Sequence, residues 1–129
     1  MENQVEDYKA KLDDGRDIYI PSWSVKVQYE NLTQACKYLG QDNVILISAL
    51  NVPAAILAVM GSDDATASTE LVLHFIQQAR ISGQKITENS IDDLGMHTVM
   101  ELFAHVMYSQ YNSFFELGLA KAVSQTNQG

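Results

Sequence analysis

Along residues 90–117, SIDDLGMHTVMELFAHVMYSQYNSFFEL, the apolar positions recur at three- and four-residue intervals, the spacing of one helix face. At about 100° per residue, Met96, Val99, Met100, Leu102, Phe103, Val106, Met107, Tyr111 and Phe114 cover roughly half the circumference. His97, Thr98, Glu101, His105, Ser109 and Asn112 fill the other half. So wide an apolar arc predicts a central helix with neighbours on two sides, a core near Phe103 and a polar face turned to water.

Residues 8–20, YKAKLDDGRDIYI, have a different period. Tyr8, Ala10 and Leu12 alternate with polar residues, Asp13-Asp14-Gly15-Arg16 interrupts them, and Ile18 and Ile20 resume the alternation. An Asp-Gly step between alternating runs predicts a β-hairpin, because glycine accepts the positive φ of a tight turn. Pro21 removes a ladder donor and ends the second strand. Val25, Tyr29, Leu32, Cys36 and Leu39 then form a stripe for a helix over 24–39, with Ser22 or Ser24 as N-cap and Gly40 at the C-terminal end. Asp42 or Asn43 and then Asn51, the latter followed by Val52-Pro53, can cap one kinked helix or two short ones up to Gly61. Leu71, Val72, Phe75, Ile76 and Ala79 predict a further helix over 64–82 with cap candidates at Ser62-Asp63-Asp64. The stretch GQKITEN reads as a polar linker, and Ser90-Ile91-Asp92-Asp93 resembles a capping box for the main helix. These elements predict a mainly α protein, a small bundle of five to six helices preceded by an N-terminal β-hairpin. It forms a single domain over 1–129, with the hairpin at 8–20, the helical body at 24–118 and a flexible tail over 119–129.

Composition narrows the function classes. Eight Lys and Arg against sixteen Asp and Glu give a net charge of −8, which opposes loading onto a phosphate backbone, so no nucleic-acid partner is expected. Cys36 is the only cysteine, which excludes an internal disulfide, CxxC redox chemistry and a cysteine-based zinc site. The start, MENQVEDYKAK, is acidic where an export signal opens basic and apolar. Residues 44–60, VILISALNVPAAILAVM, fall short of the roughly 20 apolar residues of a membrane span and read as core. No membrane partner is expected.

His97, Glu101 and His105, at i, i+4 and i+8, are the sharpest candidate chemistry, since two imidazoles and a carboxylate form a familiar zinc or iron ligand set. Eight residues span about 12 Å along a helix, so the outer pair cannot share one ion, and the line reads as a solvated face. His74 lacks an assignable catalytic partner, Cys36 belongs to an apolar stripe, and no GxGxxG, GxxxxGK or GxSxG pattern occurs. The residues therefore predict no catalytic site, no cofactor and no metal. Aromatic side chains beyond ordinary core needs remain: Tyr108, Tyr111, Phe114, Phe115 and Trp23 are the candidate protein-interaction residues, with Phe115 and Tyr108 foremost.

The start KLDDGRDIYIPSW, a helix, an apolar helical pair and a late helix ending YNSFFELG resemble the small tail assembly chaperones of tailed bacteriophages. In them a β-containing start with an Asp-Gly turn precedes a helical body, and an Asn-x-aromatic-aromatic cluster near the end resembles Asn112-Ser113-Phe114-Phe115. The resemblance implies a non-enzymatic factor of the host cell cytoplasm that coats the tape measure protein, helps recruit tail tube protein and self-associates. It assigns no catalytic residues. Two other readings stay open on the residues alone: a structural tail or baseplate subunit of the virion, and a helical metalloenzyme using His97, Glu101 or His105.

Overall fold

In the computed structural model, the backbone is described over residues 7–128 and side chains over residues 7–119. The chain opens with β1 (Tyr8–Lys11) and β2 (Asp17–Ile20), paired antiparallel with Tyr8 opposite Ile20 and Lys11 opposite Asp17. Gly15, at φ 93°, closes the turn between them, where its N–H donates to the Leu12 carbonyl (2.9 Å). Alternation does what the pattern predicts: Leu12, Ile18 and Ile20 are buried, while Lys11 and Asp17 pair in solvent.

Helices follow in close succession: α1 (Val25–Leu39), α2 (Gln41–Ser48), α3 (Val52–Met60) and α4 (Ala65–Ile76). Their starts are set locally, with the Ser24, Asn51 and Asp64 side chains accepting from Val27, Ala54 and Ala67 N–H. The apolar pair is thus two short helices, and α2 starts after Gly40 with no side-chain cap, so neither Asp42 nor Asn43 has that role. The predicted α1 stripe is only partly realised. Ala35 and Leu39 are buried and Leu32 and Cys36 half-buried against the core, whereas Val25 and Tyr29 lie open to solvent.

Three boundaries differ from the sequence reading. Helix α4 stops at Ile76, and Arg80-Ile81 and Gln84-Lys85 form β3 and β4, extending the sheet in the order β1-β2-β3-β4. The supposed polar linker therefore contributes a strand. Ser82 (φ 51°) and Gly83 (φ 81°) both adopt positive φ, the geometry of a two-residue type I′ hairpin turn. The long helix is divided at Gly95 (φ 82°) into α5 (Glu88–Leu94) and α6 (Met96–Gln128). The capping box belongs to α5 and is made by Thr87 and Ser90, three residues earlier than Ser90 to Asp93. The expected tail falls on α6 beyond the described side chains; the backbone there keeps helical bounds to Gln128.

Helix α6 is the element around which the rest packs, with α2, α3, α4 and α5 against it. Leu102, Phe103, Ala104, Val106 and Met107 on it are fully buried. Phe103 meets Phe75 edge-on at 5.5 Å, and Phe75 in turn meets Trp23 at 5.3 Å, so one aromatic chain joins α6, α4 and the β2–α1 connection.

Candidate functional site

On the polar half of α6, His97 faces water as expected, but Glu101 and His105 do not. Glu101 is only 4% exposed and His105 only 7%, because the N-terminal hairpin lies across them. Each buried polar group on this face finds a partner from the first 28 residues, as burial requires. Asp13 N–H donates to Glu101 Oε2 at 2.7 Å, and the Tyr8 hydroxyl and His105 Nδ1 share a hydrogen bond of 3.0 Å. Gln110 donates to the Pro21 carbonyl (2.9 Å) and accepts from Trp23 N–H (3.2 Å) and Gln28 Nε2 (3.1 Å). The Tyr111 hydroxyl donates to the Gln28 carbonyl at 2.7 Å. Burial pushes the Glu101 carboxyl up and the His105 imidazole down, so both favour the neutral form relative to free side chains. Burial also raises the Cys36 thiol, which keeps it from thiolate chemistry.

The five aromatic candidates separate. Trp23 (9% exposed) and Tyr111 (2%) belong to the core, stacked edge-on at 6.3 Å, and present no surface in the folded chain. Their burial was not legible locally, because the Tyr111 hydroxyl meets the Gln28 carbonyl on α1 and Trp23 meets Phe75 on α4. Tyr108 is half-buried against Tyr8 (5.7 Å). Phe115 is half-buried, tilted against Tyr111 at 6.5 Å and Phe114 at 5.2 Å. Phe114 is 59% exposed, and Leu117 beside it is exposed too. The C-terminal stretch of α6 thus leaves the body carrying an open aromatic and aliphatic face.

A second open apolar surface was not visible in the sequence. Between α3, α4, α5 and the first turns of α6 runs a groove of ≈ 530 Å³, with Ile56, Met60, Leu73, Ile91, Met96 and Met100 among its walls. Asp92 and His97 supply polar atoms to the lining. The positive-φ turn at Gly95 makes the groove, since it separates α5 from α6 and lets the two form adjoining walls. Met96, placed in the core by its period, is instead 88% exposed, and Met60 is exposed as well. A glycine inside an otherwise helical pattern was the available signal. Among the described residues, no helix is long and apolar enough to cross a membrane.

A family model described as phage tail assembly chaperone protein matches residues 14–122. The chain belongs to that family. Comparison with curated proteins and with solved structures returns no match. The matched span covers β2, all six helices up to residue 122, the groove and the aromatic face of α6. Membership of this family implies interaction with tail proteins generally.

Proposed function

We propose that the protein binds apolar helical segments of the tape measure protein in the groove between α3, α4, α5 and α6, aids tail tube assembly, and does so in the host cell cytoplasm without enzymatic chemistry. The observation that carries this reading is the methionine lining. Met60, Met96 and Met100 are three of the five methionines in the chain and converge on one open apolar groove. Unbranched, polarisable side chains repack around differing apolar helices, as a holdase that coats a long partner requires. A net charge of −8 keeps such a protein dispersed while the groove stays open. The exposed face of α6 at Phe114 and Leu117, with Phe115 and Tyr108 at its edge, is assigned to self-association, which would line several grooves along one partner.

Co-expression with fragments of the cognate tape measure protein tests this. The wild-type chain keeps fragments soluble and co-purifies with them. Met60→Lys and Met96→Lys abolish co-purification while leaving the circular dichroism spectrum unchanged, because both side chains are exposed. Undiminished capture by both variants would sink the groove assignment.

A further inference from the structure

We propose that Asp13, His97 and Glu101 form a binding site for a divalent first-row transition ion, Zn²⁺ being the representative, that ties the β1–β2 turn to α6. One donor atom from each residue lies within 4.8 Å of the other two. Donors bound to a single ion at about 2.1 Å sit roughly 3–3.5 Å apart, so closure needs only a modest rotation of the two exposed side chains. His97 and Glu101 stand at i, i+4 on one face of α6, and the Gly15 turn brings Asp13 over that face. The third ligand of the line read from sequence, His105, is held instead by Tyr8. Asp13 takes its place from 88 residues away in sequence.

One further observation points to a cation. Glu101 is 4% exposed and its Oε2 accepts from Asp13 N–H, which leaves Oε1 free to turn toward an ion. The charge around it is unbalanced. The Asp13 carboxylate lies beside Glu101, while the nearby Arg16 is committed to Asp14 through Nε (2.8 Å) and Nη2 (2.7 Å). His97 Nε2, at 3.6 Å from Asp13 Oδ2, is the remaining nitrogen. An imidazole and two carboxylates suit Zn²⁺, Co²⁺ or Mn²⁺ and supply the negative charge that a divalent ion neutralises. The ion would act as a clamp, fixing a hairpin that is marginal alone onto the helix that organises the core.

The test uses the full chain after chelator treatment. Calorimetric titration with Zn²⁺ gives one equivalent bound, and Co²⁺ gives a visible absorption band from a histidine-carboxylate site. His97→Ala and Asp13→Asn each weaken Zn²⁺ binding by about tenfold to a hundredfold or more, the scale for disturbing a metal shell. Both side chains are exposed, so the variants fold as wild type does. His74→Ala, on the exposed side of α4, leaves the affinity unchanged. Slower amide exchange over residues 12–16 on adding Zn²⁺ reports the clamp. The proposal fails if the folded wild-type chain takes up no stoichiometric Zn²⁺, or if either ligand variant binds it as tightly as wild type.

Discussion

Replacing Phe103 by alanine tests the claim that the fold is organised around α6. The ring is fully buried, meets Phe75 of α4 edge-on at 5.5 Å, and lies in the core that Leu102, Val106 and Met107 also enter. Returning a buried phenylalanine side chain to water costs about 1.5–3 kcal/mol. Losing the edge-to-face pair adds about 0.5–1.5 kcal/mol. A cavity that the surrounding helices only partly collapse brings the total to about 3–5 kcal/mol, the range usual for Phe→Ala in a core. Against a typical stability of about 5–15 kcal/mol this is a large fraction, so the variant should unfold at distinctly lower urea with its m-value unchanged. Trp23 is the sole tryptophan and stacks on Phe75, so its fluorescence reports the same aromatic chain while far-ultraviolet circular dichroism reports the helices. Phe103→Leu, which keeps most of the volume, should recover more than half of the loss. A measured loss below about 1 kcal/mol, the scale of ordinary surface changes, would remove Phe103 from the core and the central role from α6.

Two further outcomes are expected. His105 is buried with its pKa below the ordinary 6.5, so the unfolded chain binds its proton more readily than the native one. The stability it contributes is complete above about pH 6.5 and is lost as pH falls from there through the depressed native value, at up to about 1.4 kcal/mol per pH unit. Urea titrations across that range should show a steeper acid loss in wild type than in His105→Asn, and equal slopes would refute the reasoning. Phe114→Ala and Phe115→Ala should weaken self-association in sedimentation velocity with helix content nearly unchanged, as Tyr108→Ala also should. Unfolding on either phenylalanine substitution would return that residue to the core.

What the sequence disclosed about the fold was what local chemistry decides. Asp14-Gly15 between alternating runs announced the first hairpin, and Ser24, Asn51 and Asp64 announced helix starts, because a turn or cap is completed within four residues. The second hairpin stayed hidden for a physical reason. Strands of two residues carry no period, and Arg80-Ile81 is a strand only because β2 lies beside it, with Ile18 opposite Ile81. The break at Gly95 was hidden differently, since the apolar period continues through it while the backbone does not.

The candidate sites show the same division between local period and distant partner. A polar stripe on a helix predicts solvent unless another element brings donors and acceptors to it, and here the hairpin does: Asp13 to Glu101, Tyr8 to His105, Pro21 and Trp23 to Gln110. Those pairs are 87–97 residues apart, so no window of sequence contains both members. Met96 and Phe114 are the converse. Their period placed them in the core arc, yet among the described residues no element covers them, and they remain 88% and 59% exposed at opposite ends of that arc. Exposed apolar side chains at both ends of an otherwise buried helix leave unfinished burial that another molecule can complete. If the groove end takes an apolar partner segment and the aromatic end a second copy of the chain, as proposed above, the Met96 and Phe114 variants should separate the two activities.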